Sequence, residues 1–131
     1  MNGLLLDTHI WLWYLGGSSR LPIRVAERLT ADHLQAWLSP ISVWELGILI
    51  HRGRLTLDAP IRSWTDDALA RFPLLEATVN REVALVSSEI DLPTGDPADH
   101  LLAATALVYG LTLVTLDQHL AAAELVPTWP A

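Results

Sequence analysis

Short, mainly apolar segments alternate with helix-like segments along the chain, and this alternation constrains the fold more than any other feature. The segment "GLLLD" has the length and composition of a buried strand, and "QAWLS", "LLEATV" and "LTLVT" are further strand candidates. Strands that are apolar throughout are typical of a parallel sheet covered on both faces. The pattern therefore predicts an α/β fold, with a central parallel sheet and helices on both faces. At 131 residues the chain is expected to form a single domain, 1–131.

Capping residues mark where the predicted helices begin and end. The segment "SPISVWELGILIHRG" is predicted to be a helix, which Ser39 and Pro40 open and whose end Gly53 suits. Asp96 and Pro97 open another helix, which is expected to close at Gly110. The remaining predicted boundaries are a strand from Gly3 to Asp7, a helix from Pro22 to about Thr30, a helix opened by Pro60, a helix capped by Asn80, and a last edge strand in "ELVPTW".

Composition excludes several kinds of chemistry. The chain has no cysteine, which removes disulfides and thiolate metal sites, and none of its eight basic residues is a lysine. Schiff-base catalysis and the lysine of a phosphate-binding P-loop are therefore excluded. No secretory signal is visible, and the uncharged run from Leu101 to Leu116 is shorter than the ~18 residues of a spanning helix. We expect a soluble, cytoplasmic protein without a membrane partner.

Four acidic residues stand out by their positions in the predicted elements. Asp7 and Asp117 each follow an apolar strand, where an aspartate is explained equally well as a helix cap. Glu45 is the only charge in "PISVWELGILI", and a lone carboxylate on an apolar helix is costly unless it faces a polar pocket. Asp99 lies one turn into a helix and also resembles the acid of a capping box that reaches back to Asp96.

In a parallel sheet these four acids can meet at the edge where the strands end. Two carboxylates about 4 Å apart repel by roughly 4 kcal/mol at an effective dielectric near 20. Such a group is tolerated only if some members are protonated or a cation lies between them. With oxygen ligands and no cysteine, the expected cation is Mg²⁺ or Mn²⁺, which points to phosphodiester chemistry.

At these positions the chain resembles the PIN-domain family and, within it, the VapC-type toxin ribonucleases of bacterial toxin–antitoxin pairs. The segments that carry the resemblance are "LLLDTHIWLW", "SPISVWELGI", "HRGRL", "GDPADHLLAATAL" and "LTLVTLD", which span nearly the whole chain. The resemblance implies a PIN-like single domain, an acidic pocket that binds Mg²⁺ or Mn²⁺, and hydrolysis of RNA. It also implies a homodimer and a cognate VapB-like antitoxin that covers the toxin.

The resemblance also suggests a role for individual residues. The residues that match the acidic quartet of the family are Asp7, Glu45, Asp99 and Asp117. Our hypothesis is that Asp7, Asp99 and Asp117 bind the metal, while Glu45 orients a water or holds a second ion. Thr115 matches the hydroxyl often found beside the last acid, and Asp96 matches a frequent position outside the quartet.

The chain departs from its apparent relatives in two places. His100 stands where many relatives have arginine, and the helix of Glu45 lacks their usual lysine. Three basic residues follow that helix, and we predict that they contact RNA phosphates: His51, Arg52 and Arg54. The alternative is a favourable charge at the negative end of the helix dipole.

Other classes of function stay open at this stage. His9, His100 and His119 each follow a candidate metal-binding aspartate within one or two residues, so a histidine-containing metallohydrolase is the main rival. A phosphorylated receiver domain is disfavoured by the absence of lysine. A catalytically degenerate binding module is disfavoured by the complete set of four acids. The sequence does not give the RNA target, the antitoxin, or the number of metal ions.

Overall fold

The computed structural model describes residues 3–130 as a five-stranded sheet flanked by helices. The strands lie in the order β3-β2-β1-β4-β5, and all four neighbouring pairs are parallel. Their bounds are β1 Leu4–Leu6, β2 Ala36–Leu38, β3 Leu75–Glu76, β4 Thr112–Val114 and β5 Thr128–Trp129. The predicted α/β architecture is confirmed. The first strand is shorter than predicted, because Asp7 already caps the following helix.

Seven α-helices connect or follow these strands, and a short 3-10 helix covers His33–Gln35. Their bounds are α1 Thr8–Gly16, α2 Ile23–Ala31, α3 Pro40–His51, α4 Ile61–Arg71, α5 Arg81–Glu89, α6 Pro97–Tyr109 and α7 Gln118–Ala122. The predicted caps are in place, since Ser39, Asn80 and Asp96 each accept a hydrogen bond from a backbone N–H of the helix they open. Within residues 3–130, no helix has the length and apolar character that crossing a bilayer requires.

The side chains of β1 alternate between two hydrophobic cores. Leu4 and Leu6 are buried on one face of the sheet, among side chains of α1 to α4, and Leu5 is buried on the other face with α6 and α7. This period of two is the geometry of a strand, and burial on both sides explains why β1 is apolar throughout. α5 packs on α6 and extends the second layer.

The strand order creates a crevice at the centre of the sheet. After β1 the chain adds β2 and β3 on one side, and β4 and β5 on the other. Connections that leave a parallel sheet in opposite directions open a crevice at the carboxyl ends of the strands. The backbone N–H of Asp7 donates to the carbonyl of Val114 at 3.0 Å, which ties the ends of β1 and β4 together.

Candidate active site

Asp7 lies at the carboxyl end of β1 with both carboxylate oxygens engaged. Its Oδ1 accepts from the backbone N–H of Thr8 at 2.7 Å, as expected of a residue that caps α1. Its Oδ2 accepts from the hydroxyl of Thr115 at 2.7 Å. The side chain is therefore held in one orientation, at the mouth of the crevice between β1 and β4.

Thr115 connects Asp7 to Asp117. Its buried Oγ1 donates to Asp7 and accepts from the backbone N–H of Asp117 at 3.0 Å. Asp117 in turn caps α7, since its Oδ1 accepts from the N–H groups of His119 and Leu120 at 2.8 and 3.3 Å. A single hydroxyl thus fixes the relative position of two acids from different strands.

Glu45 reaches the same region from α3. Its Oε1 lies 2.5 Å from the hydroxyl of Thr8, which also lies 2.9 Å from Oγ of Ser42. Thr8 and Ser42 are fully buried, whereas Glu45 is partly exposed. Thr8, the residue after Asp7, therefore brings Glu45 to the end of β1.

Asp99 and Asp96 lie in the first turn of α6 and at its cap, but they do not form the expected capping box. Asp96 Oδ1 accepts from the N–H of Ala98 at 3.0 Å, whereas the backbone N–H of Asp96 donates to Thr94 Oγ1 at 3.2 Å. The Thr94 hydroxyl in turn donates to Asp99 Oδ2 at 3.2 Å. The capping-box prediction is wrong because the hydroxyl of Thr94 lies between the two acids, where it accepts from the N–H of Asp96 and donates to the carboxylate of Asp99.

Burial and mutual repulsion raise the pKa of three of these carboxyl groups. Burial raises the pKa of Glu45 to about 7, and the charges of Asp7, Asp96 and Asp99 add to this effect against the lowering hydrogen bond from Thr8. Burial raises the pKa of Asp99 to about 6, with further contributions from Asp96, Asp7 and Asp117.

Asp7 is affected in the same direction. Burial raises its pKa, the hydrogen bonds from Thr115 and Thr8 lower it, His9 lowers it, and Asp117 raises it. The four candidate acids therefore lie close enough to affect one another's charge, although they come from four elements. Carboxylate oxygens are the ligands that a hard divalent cation prefers, and these carboxyl groups ionise less readily without a nearby positive charge. Within residues 3–130, no three acidic or histidine side chains already converge as a finished metal site.

A cavity of about 300 Å³ opens beside Asp7 and Asp117. Its other polar walls are His9 and Arg20, and the ring of His9 lies 5.6 Å from that of Trp13, centroid to centroid. Arg20 comes from the loop between α1 and α2 and was not predicted from the sequence. Glu45 and Asp99 do not line this cavity, so it extends from one side of the acidic group only.

The three basic residues that were predicted to contact RNA lie on the surface, away from Glu45. His51, Arg52 and Arg54 are exposed at the far end of α3, about 10 Å beyond Glu45 along the helix axis at 1.5 Å per residue. His51 Nδ1 bonds to the carbonyl of Gly47 at 2.8 Å. Their contact with RNA stays a prediction.

Two of the three histidines have partners of their own. His100 Nε2 bonds to the carbonyl of Thr94 at 2.8 Å, which fixes the ring against the loop before α6. His119 Nδ1 lies 3.5 Å from Asp117 Oδ1 and is largely exposed. His9 lines the cavity described above. The rival prediction of a histidine-containing metal site is not tested by these contacts.

Thr8, Thr94 and Ser42 are polar residues of this region that were not predicted from the sequence. Thr8 and Thr94 lie within five residues of a candidate acid, and that proximity was the available signal. Ser42 lies three residues before Glu45, on the same face of α3.

Comparison with known proteins agrees with this arrangement. The PIN domain matches residues 4–125, nearly the whole chain. The chain belongs to the PIN-domain family. Within that family it is 32% identical over 121 residues to ribonuclease VapC22 of Mycobacterium tuberculosis, a match that covers 92% of this chain and 91% of the relative.

Solved structures show the same fold at lower identity. VapBC2 from Rickettsia felis, bound to a DNA fragment from its promoter, matches with a TM-score of 0.70 at 19% identity, covering 95% of this chain and 96% of the other. DNA-bound VapBC from Salmonella typhimurium matches with a TM-score of 0.70 at 21% identity, covering 98% and 97%. The fold is therefore that of the PIN-domain family over essentially its full length.

Proposed function

We propose that this chain is a Mg²⁺- or Mn²⁺-dependent endoribonuclease of the VapC type, a toxin that a cognate antitoxin neutralises. The observation that carries the proposal is that four acids from four elements lie near one edge of a parallel sheet and perturb one another's pKa values, three of which are raised. The relative from Mycobacterium tuberculosis is itself a ribonuclease. Phosphodiester hydrolysis is the chemistry for which such a carboxylate group is suited.

Asp7, Asp99 and Asp117 are proposed to hold the metal. Each of the three carboxylates accepts at least one hydrogen bond. Asp7 accepts from Thr8 and Thr115, Asp99 accepts from Thr94, and Asp117 accepts from two backbone N–H groups of α7. A divalent cation held by these residues would act as a Lewis acid toward a phosphate oxygen and would lower the pKa of a water.

Glu45 is proposed to orient the attacking water. Its pKa of about 7 leaves much of it ionised at neutral pH, so it can accept the proton that the water loses as it attacks phosphorus. The hydrogen bond from Thr8 favours the ionised form and keeps the carboxylate aimed at the end of β1. The bond from phosphorus to the leaving ribose oxygen breaks as the new bond forms, and that oxygen takes up a proton from solvent to leave as a hydroxyl.

The proposed partners follow from the same likeness. The related solved structures are VapBC complexes, and another similar structure is a toxin–antitoxin complex from Klebsiella pneumoniae. We propose that this chain likewise assembles as a homodimer with a VapB-like antitoxin that covers the acidic crevice.

The central test is the variant Asp99→Asn, which keeps the shape of the side chain and removes its charge. Cleavage of RNA in the presence of Mg²⁺ or Mn²⁺ should fall below detection, because a metal ligand is lost. Sequencing of RNA ends after expression of wild type and variant would show the cleavage sites and their loss. The matched control is Asp66→Asn, which removes an exposed charge on α4 outside the crevice. Retained metal-dependent cleavage by Asp99→Asn would contradict the assignment.

A further inference from the structure

Arg20 is the single arginine that lines the cavity beside Asp7 and Asp117. Asp7 and Asp117 belong both to this cavity and to the acidic group, whereas Glu45 and Asp99 do not line the cavity. A ligand that is bound at Asp7 and Asp117 and extends into this cavity would therefore reach Arg20.

The backbone around Arg20 is fixed on both sides. α1 ends at Gly16 and is capped by Gly17, which has a φ of 60° and whose N–H bonds back to the carbonyls of the last turn. Next, the N–H of Arg20 donates to Ser18 Oγ at 3.1 Å, and Leu21 is buried in the core. The guanidinium is thus carried by an anchored turn at the edge of the cavity.

The charge of Arg20 is available to a ligand. The residue is exposed, and no carboxylate among residues 3–130 lies within 4 Å of its guanidinium nitrogens as an ion pair. The chain as a whole carries a formal charge of −7, so a cation in this position is not a consequence of a generally basic surface.

Two aromatic rings line the same cavity as the two acids and Arg20. His9 and Trp13 are four residues apart on α1 and therefore lie on the same helical face, with their rings 5.6 Å apart. A wall of this kind offers a surface for a base or a ribose, while a guanidinium binds a phosphate through two parallel hydrogen bonds.

We propose that Arg20 binds the RNA phosphate next to the one that is cut, with the intervening nucleotide lying along His9 and Trp13. This subsite rests on the proposed ribonuclease function and deepens it. It makes Arg20 a substrate-binding residue that sets how the RNA strand enters the acidic crevice, and not a ligand of the metal.

The test compares binding of a labelled single-stranded RNA pool of randomised sequence to Asp99→Asn and to the double variant Asp99→Asn with Arg20→Ala. The cleavage-deficient background keeps the RNA intact, and fluorescence anisotropy gives Kd over a series of salt concentrations. Loss of a charge-assisted contact should weaken binding roughly tenfold. Loss of one phosphate contact should also reduce the slope of log Kd against log salt by about 0.7. Arg20→Lys should keep the slope and lose part of the affinity.

The control is Arg81→Ala in the same background. Arg81 is exposed at the start of α5, and the bond from Tyr109 Oη to the carbonyl of Thr78 places that region near the end of α6 opposite to Asp99. Arg81→Ala should leave both Kd and salt slope unchanged. Thermal unfolding of each variant should match its parent, so that a change in affinity is not a change in folding.

Three outcomes would overturn the subsite. Equal Kd and slope for the Arg20→Ala and parent proteins, while wild type still cuts RNA, would remove the subsite and leave the ribonuclease function standing. Unchanged RNA binding with loss of capture by a co-expressed antitoxin would assign Arg20 to that partner instead. Failure of the parent protein to bind RNA, together with failure of wild type to cut it, would remove both proposals.

Discussion

At the scale of single residues, two buried hydroxyls organise the acids. Thr115 links Asp7 to Asp117, and Thr8 links the end of β1 to Glu45. Each hydroxyl is carried by a short, buried threonine side chain, so it holds a carboxylate in place without adding a charge of its own. The positions of the acids are therefore set largely before any ligand binds, which reduces the reorganisation that a reaction would require.

The raised pKa of Glu45 predicts how stability depends on pH in the metal-free protein. The pKa rises from 4.5 to about 7 on folding, so between these values the folded state binds more protons than the unfolded state. The contribution of Glu45 to the free energy of unfolding therefore falls as pH rises through this window. Glu45→Gln should be less sensitive to pH and should gain stability relative to wild type as pH approaches 7.

Urea unfolding of both proteins in EDTA, at a series of pH values, measures this difference. Comparing variant with wild type cancels the contributions of the other titrating groups. The same variant should lower cleavage by roughly 100-fold or more, the usual contribution of a general base. A constant stability difference between the two proteins at every pH would contradict the raised pKa.

At the scale of elements, two of the four acids are also helix caps, and a third acid lies in the first turn of a capped helix. Asp7 and Asp117 cap α1 and α7, and Asp96 caps the helix that carries Asp99. The sequence left capping and chemistry as alternatives for Asp7 and Asp117, and the structure shows that capping does not turn either side chain away from the crevice. A helix start is also a region of positive potential, which favours carboxylates there.

Two variants of Asp96 distinguish the effect of helix capping from the effect of its negative charge. Asp96→Ala removes the cap of α6 and should cost about 1 kcal/mol of stability, with a partial loss of cleavage because the helix start aims Asp99. Asp96→Asn keeps a capping side chain and removes the charge that raises the pKa of Asp99 and Glu45. Its stability should stay near that of wild type. Denaturant titrations and cleavage rates of the two variants separate the capping effect from the charge effect. An equal loss of stability in both variants would rule out the capping role.

Local signals predicted the elements well, because they act over a few residues. The apolar runs gave the strands, and Ser39, Asn80, Asp96 and Gly110 gave the helix boundaries. The contact of Thr8 with Glu45 joins α1 to α3 across 37 positions in the sequence, so no local sequence pattern predicts it. The capping box at Asp96 failed for a related reason, since the spacing was correct and the hydroxyl of Thr94 competed for the same groups.

At the scale of the whole molecule, the strand order decides which acids meet. Because β1 lies between β2 and β4, the segments that follow these strands all leave the sheet at one edge. The four acids could therefore be predicted as a group from their positions after strands and in helix starts. Arg20 could not, because its place depends on the path of the loop between α1 and α2. The cavity that Asp7 and Asp117 line also carries the guanidinium of Arg20, which is the arrangement on which the proposed phosphate subsite rests.

Metal binding should accordingly stabilise the whole fold in a manner that depends on pH. A cation that binds only the folded state adds about 2.7 kcal/mol at a concentration 100 times its Kd. Protons compete for Asp99 and Glu45, whose pKa values are about 6 and 7, so the gain from Mg²⁺ or Mn²⁺ should be large above pH 7 and small below pH 6. Thermal unfolding with and without Mg²⁺ at both pH values measures the gain, and EDTA should reverse it. Asp99→Asn should lose most of the gain while Asp66→Asn keeps it, and an equal gain in both variants would place the cation elsewhere on the molecule.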